Sequence, residues 1–186
     1  MTKIWQTKST KLHPFVEWYT VGNDYILDQR LLPFDVEASL AHAQALAKLK
    51  IITPGELKKL NNGLKEILKL HAQKKFIIKL QDEDCHTAIE NYLIKKLGPL
   101  GKKIHTGRSR NDQVLVATRL YTRKKLKQVS YELIRLEKVF LNMAKKYEFM
   151  PMPGYTHTRK AMPSSVGHWA AAYLEELIDY HKLLVS

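Results

Sequence analysis

Apolar positions recur three or four residues apart in one segment of the chain after another, with lysines and glutamates between them. Val36, Leu40, Ala43, Ala47 and Leu49 carry this spacing from Asp35 to Lys50, and Ile51-Ile52 continues it. That period belongs to a helix with one buried face. Thr53-Pro54-Gly55-Glu56 opens a second helix, with Thr as N-cap, Pro at the first helical position and Glu three residues on. There the hydroxyl and carboxylate satisfy two orphan backbone N–H groups reciprocally. Its apolar line is Leu57, Leu60, Leu64, Ile67 and Leu68, with His71 following. The acidic run Gln81-Asp82-Glu83-Asp84 enters a third helix carrying Cys85, Ile89, Leu93, Ile94 and Leu97, and Gly98-Pro99-Leu100-Gly101 ends it. Residues 1–34 predict an irregular arm with a short helical stretch. Its Trp5, Phe15, Trp18 and Tyr19 need the body of the fold or a neighbouring subunit to bury against.

From Asn111 the pattern changes scale. Val114, Ala117, Tyr121, Leu126, Val129, Leu133, Leu136, Phe140, Met143 and Tyr147 keep a helical spacing, and neither Gly nor Pro interrupts Gln113 to Met150. Such a helix has about 35 residues and spans roughly 50 Å. Helices of that length belong to extended bundles and oligomers rather than to a small compact domain. Pro151-Met152-Pro153-Gly154 breaks it, and Ser164–Ser186 is a further helical run. Strand signals are nearly absent. The expectation is an all-α chain: a small N-terminal helical domain over residues 1–106, then the beginning of a long-helix bundle over 107–186.

Composition narrows the class. A single cysteine, Cys85, excludes an intrachain disulfide framework and fits a reducing cytoplasm. No apolar run approaches the ~18 residues of a membrane span, and the N-terminus lacks the apolar core of a secretory signal. The net charge of +13 comes from 31 Lys+Arg against 18 Asp+Glu. The lysines are spread in pairs along the wet faces of the helices, without the interleaved aromatics that stack on bases. A solvated surface, with some attraction for an anionic substrate, accounts for them better than nucleic acid does.

Three polar clusters carry candidate chemistry. Thr106–Gln113, Thr-Gly-Arg-Ser-Arg-Asn-Asp-Gln, sets Ser109, Arg110 and Asn111 at the start of the long helix. Arginine offers a planar fork to a carboxylate, Asn offers donor and acceptor, and a helix start adds free N–H groups. The residues alone leave two readings open, an anion cradle or a solvated turn in which Ser109 or Asn111 caps the helix. Gly154-Tyr155-Thr156-His157 places a histidine between hydroxyls, suited to acid–base work or to a structural hydrogen bond. In Asp82-Glu83-Asp84-Cys85-His86, the acids suit a helix cap and His86 a cleft. One His, scattered carboxylates and an unpaired Cys give no convincing metal spacing, so neither metal nor cofactor is expected. A helix-borne cysteine without a fixed cation beside it is packing rather than nucleophile. Asp24 and Asp28, four apart, share a helical face and suit a cationic group or solvent.

Taken together, Thr106–Gln113 and Gly154–His157 resemble signature segments of the argininosuccinate lyase family, in the fumarase/aspartase superfamily. Glu83–Glu90 resembles its acidic-His segment and Asp35–His42 its early helix, and Gly167-His168-Trp169 follows at the right distance. The likeness runs from about Thr20 to Tyr180. It implies a homotetramer built on a central helical bundle, active sites shared between subunits, and reversible elimination of fumarate from argininosuccinate to give arginine, without cofactor. It further implies that Arg110 and Asn111 hold substrate carboxylates with Ser109 at the same turn. Thr156 would bind the fumarate-side carboxylate, His157 would be the acid or its partner, His86 would line the pocket, and Asp28 would contact the arginine moiety.

The chain departs from the family where Thr158-Arg159 replaces Leu-Gln, where Trp5-Gln6-Thr7-Lys8 replaces a Gly-Gly-Arg-Phe start, and where Asp24 replaces a small hydroxyl residue. The family's flexible loop, Gly-Ser-Ser followed by Met-Pro-Gln-Lys-Lys-Asn-Pro, does not occur. The expectation is an N-terminal portion that does not release fumarate by itself. Other fumarate-releasing lyases of the superfamily, or a non-catalytic helical oligomerisation module, are the alternatives to be separated.

Overall fold

A computed structural model describes residues 13–186. The expectations placed on Trp5 and on Trp5-Gln6-Thr7-Lys8 lie outside the described residues. The elements in chain order are α1 (Pro14–Val21), α2 (Asp24–Leu27), α3 (Leu32–Lys48), α4 (Pro54–Ala72), α5 (Cys85–Leu97), α6 (Pro99–Lys102), α7 (Arg110–Lys146), β1 (Pro151–Thr156), β2 (Arg159–Ser165) and α8 (Val166–Val185). The all-α expectation holds, with one small hairpin added. The chain divides into two compact units, Met1–Tyr121 and Thr122–Ser186.

In the first unit α3, α4 and α5 enclose the core. Leu32, Val36, Ala43 and Leu46 of α3 meet Leu60, Leu64 and Ile67 of α4 and Cys85, Ile89 and Leu93 of α5. Fully burying a leucine or isoleucine contributes about 1.5–3 kcal/mol, so these positions hold the unit together. Local chemistry sets the helix ends. Thr53 Oγ accepts from the Glu56 N–H at 3.2 Å and Glu56 returns a bond to the Thr53 N–H at 2.7 Å, the capping box read from sequence. Lys103 binds the same carboxylate and, with the Thr53 N–H, holds it at about 2, well below the usual range. Helix α3 begins three residues before Asp35, because Pro33 sits in its first turn, where a missing N–H costs nothing. Phe15, Trp18 and Tyr19 of α1 are exposed, with Phe15 and Trp18 in contact with each other.

Gly101 lies against α5 so closely that an added Cβ would stand 2.5 Å from the Ile94 N and 2.6 Å from the Leu93 carbonyl oxygen. Those neighbours are helix backbone and cannot swing aside. Gly101→Ala is expected to destabilise the first unit by about 2–3 kcal/mol, near the top of the range for overpacking, measured by urea unfolding.

In the second unit β1 and β2 form an antiparallel ribbon with Thr156 opposite Arg159, Tyr155 opposite Lys160, and an irregularity between Pro153 and Tyr155. The sequence predicts a helix break and a polar cluster here, and no strands. Two strands have only edges, so Pro153 and Pro163, paired across the ribbon, remove no interior ladder bond. His157 and Thr158 take φ of 50° and 65°, the paired positive values that a two-residue hairpin turn of the right twist requires. Ser165 Oγ caps α8 by accepting from the His168 N–H at 3.0 Å. Trp169, Tyr173 and Phe140 form an aromatic cluster, with centroids 4.9–6.4 Å apart.

Much of the apolar periodicity of α7 and α8 faces outward. Leu126, Val129, Leu136, Val139, Tyr173 and Leu183 are all exposed. No described helix is long and apolar enough to cross a membrane.

Candidate functional site

The first unit brings together two of the three polar clusters. The carboxylate of Asp84, which caps α5, accepts from the Thr87 N–H at 2.8 Å, and its other oxygen lies 3.3 Å from Nη1 of Arg110. Arg110 also donates to Thr87 Oγ1 at 2.8 Å, and Glu83 lies 3.8 Å from its Nη1. The first residue of α7 is thereby tied to the first turn of α5. Glu83, just before the cap, holds φ at 68°, a strained value for a side chain with a Cβ.

The turn that begins α7 is fixed from several sides. His42 binds the Thr106 carbonyl oxygen at 3.0 Å, and burial lowers the pKa of its ring. Gly107 has φ +74°. Ser109 donates through both N–H (2.7 Å) and Oγ–H (3.0 Å) to one oxygen of Asp112, whose pKa the two bonds lower. Ser109 Oγ also accepts from the Asp112 N–H at 3.4 Å, so Ser109 caps the helix and its hydroxyl is engaged within the turn. The two arginines part company. Arg108 folds back to donate to Ser39 Oγ at 3.0 Å and to the Ile104 carbonyl at 3.2 Å. Arg110 remains 40% exposed, and the Asn111 side chain makes no hydrogen bond among the described residues. A carboxylate arriving at this turn meets Arg110, Asn111 and the first N–H groups of α7.

Beneath the turn lies a buried polar network. Asp35, 0% exposed, accepts from His86 Nδ1 at 2.8 Å and, on its other oxygen, from Ser39 Oγ at 3.5 Å. Burial opposes a charge on His86, but the bond and charge of Asp35, with Asp84 and Asp28 behind it, outweigh burial and raise its pKa. Asp28 accepts from the Cys85 N–H at 3.0 Å, and burial raises its own pKa. The thiol of Cys85 is fully buried and pushed far up, chiefly by desolvation, so it is inert packing as its helical position suggests. Donor atoms of Asp35, Cys85 and His86 all lie within 4.8 Å of one another. Sequence spacing concealed that grouping because Asp35 comes from another helix. The bond between Asp35 and His86 already engages two of the three donors.

A legible sign of this network exists in the sequence. Asp35 and Ser39 are four apart and fall on the α3 face that also carries Leu32, Val36 and Ala43. Polar residues on a buried stripe need partners.

The second unit carries Thr156 and His157 at the hairpin tip, both exposed. It also holds a serine–histidine–glutamate chain. Ser130 Oγ lies 3.0 Å from His181 Nε2, and His181 Nδ1 lies 3.0 Å from Glu137 Oε1. Ser130 sits mid-helix, where backbone N–H groups are committed to the helical ladder and none is free to form an oxyanion hole. The arrangement ties α7 to α8 rather than making a nucleophile.

The family model described as "Lyase" matches residues 15–184. The chain is a member of the lyase family. It is 46% identical over 182 residues to an argininosuccinate lyase of Thermotoga neapolitana, covering 98% of this chain and 46% of that protein. To the argininosuccinate lyase of Phocaeicola vulgatus it is 43% identical, covering 95% and 40%. This lyase chain therefore spans less than half the length of the curated relatives it matches, and corresponds to their N-terminal part. Among solved structures, an EDDS lyase in complex with formate superposes with a TM-score of 0.75 at 25% identity, over 95% of this chain and 35% of that one. A β-carboxy-cis,cis-muconate cycloisomerase from Acinetobacter calcoaceticus shares the fold, at a TM-score of 0.70 and 18% identity over 89% and 39%.

Proposed function

We propose that this lyase chain is the N-terminal portion of an argininosuccinate lyase, catalysing reversible elimination of fumarate from argininosuccinate to leave L-arginine. The observation that carries the reading is Arg110. It joins the α7 turn to the His86 segment through Thr87 and Asp84, so that two motifs resembling that family form one cluster. The relatives at 43–46% identity, named argininosuccinate lyases, support it.

In the reaction a base takes the proton beside a substrate carboxylate, giving an aci-carboxylate dianion. The C–N bond then breaks, its electron pair going to the guanidinium nitrogen, which an acid protonates. The dianion exists only along the reaction path, so cations and N–H groups placed for it act where they lower the barrier. Arg110 and Asn111 hold substrate carboxylates in this reading, with Ser109 beside them in the binding turn. Thr156 takes the fumarate-side carboxylate and His157 donates or relays the proton. His86 lines the pocket, and Asp28 faces the arginine moiety. No metal or organic cofactor takes part. The exposed apolar faces of α7 and α8 are covered by further copies of the protein in a homotetramer, working in the cytoplasm.

The test is an assay of the intact protein with argininosuccinate, following fumarate by absorbance and arginine by chromatography. Equimolar release of the two is expected. Fumarate release from adenylosuccinate with AMP, or from malate or aspartate, would assign the protein to another branch of the superfamily. No elimination from any of these would leave a non-catalytic module.

A further inference from the structure

We propose that Asp35 is a positioning residue for His86: from the buried face of α3 it binds Nδ1 of the imidazole, fixing the ring and leaving Nε2 as the nitrogen that works in the pocket. The proposal rests on the lyase reading for its consequence in catalysis, but its geometry stands apart from that reading.

Three observations carry it. Asp35 is fully buried and His86 is 4% exposed, so the 2.8 Å bond between them is held away from competing water. An ionised carboxylate only accepts, so Nδ1 must bear the proton. The carboxylate is itself held, by Ser39 Oγ at 3.5 Å, and Ser39 in turn accepts from Arg108 at 3.0 Å. The chain Arg108–Ser39–Asp35–His86 thus runs from the substrate-side turn to the imidazole. Among the described residues Nε2 has no hydrogen-bond partner, which leaves it available to a ligand.

The charged groups around the ring come from every side. Asp35 faces it from α3, Asp28 from the segment before α3, and Asp84 and Cys85 from the start of α5. Carboxylates dominate, and Asp35 is the one in direct contact. With the ring protonated, Nε2–H is a cationic donor for a substrate carboxylate. With the ring neutral, the Nδ1–H tautomer presents Nε2 as an acceptor.

Long-range 1H–15N spectra of the imidazole in the isotopically labelled protein test the assignment directly. The neutral ring should show Nδ1–H, and a neutral Nε2–H tautomer would overturn the proposal without any variant being made. In Asp35→Asn the bond can persist but the charge is gone, so the His86 titration midpoint should fall. An unchanged midpoint would also sink the idea. In the intact enzyme, kcat should fall on the order of tenfold or more in Asp35→Ala, as for other carboxylate–histidine pairs, with partial recovery in Asp35→Asn. The alkaline limb of the Asp35→Asn pH profile should move down with the midpoint. If the spectra behave as expected while the protein releases no fumarate, the pair stands and the proposed reaction fails. If the spectra fail while fumarate is released, the reaction stands and the positioning role falls.

Discussion

His86→Leu is expected to destabilise the first unit by about 3–5 kcal/mol, the usual cost of breaking a buried ion pair from one side. The reason is the residue left behind. Asp35 is fully buried, and without the imidazole its nearest remaining partner is the Ser39 hydroxyl at 3.5 Å. The double variant Asp35→Leu/His86→Leu should recover much of the loss, because it removes the stranded charge as well. Urea unfolding of wild type, both single variants and the double variant measures the coupling. A double variant no more stable than His86→Leu would show that the cost came from packing alone.

The same pair predicts how stability follows pH. The folded pKa of His86 is raised above its ordinary 6.5. Its contribution is therefore fully present below about 6.5 and is lost as pH rises through the higher folded value. Asp28 and Cys85 are also raised in the fold, and their contributions are likewise lost with rising pH, near and above the ordinary carboxylate and thiol ranges. All three act with one sign. His42, whose pKa burial lowers, acts with the opposite sign through the same window. The difference from the Asp35→Leu/His86→Leu chain therefore isolates the His86 part: the double variant should lose a decline in unfolding free energy that begins near 6.5.

Arg110→Ala in the intact enzyme is expected to lower kcat for fumarate release by about 10²–10³-fold, the typical effect of removing one donor from a charge-stabilising site. Its effect on folding should be small. Arg110 is 40% exposed, and ion pairs at such positions contribute about 0–1 kcal/mol. The contrast separates a substrate-holding arginine from a structural one. Arg110→Lys keeps the charge but loses the fork that spans a carboxylate, and should fall between the two. Loss of activity in proportion to lost stability, with no further drop in kcat of the folded fraction, would remove Arg110 from the reaction.

The Arg110 cluster also shows why two arginines of one motif have different fates. Arg108 and Arg110 are two apart at a helix start, so they point in different directions. Arg108 turns into the body, towards Ser39, while Arg110 stays at the surface beside Asp84. Residue type alone does not rank them, and it is the family resemblance that singles out Arg110. Which one remains available depends on where α3 and α5 sit.

What the sequence by itself determined is whatever neighbours along the chain decide. The capping box at Thr53–Glu56, the Asp84 cap, the uninterrupted α7 and the break at Pro151–Gly154 all follow from contacts within a few residues. Motif order also points to a lyase, the family whose model matches residues 15–184. Only the tertiary structure decided the partners of Asp35, since its bond to His86 joins positions 51 residues apart. The β1–β2 hairpin likewise depends on pairing across a ribbon that tolerates prolines no interior strand would accept. Local propensity fixes where helices begin and end. A buried charge is settled by whichever distant group the packing brings within hydrogen-bond reach, and for Asp35 that group is His86.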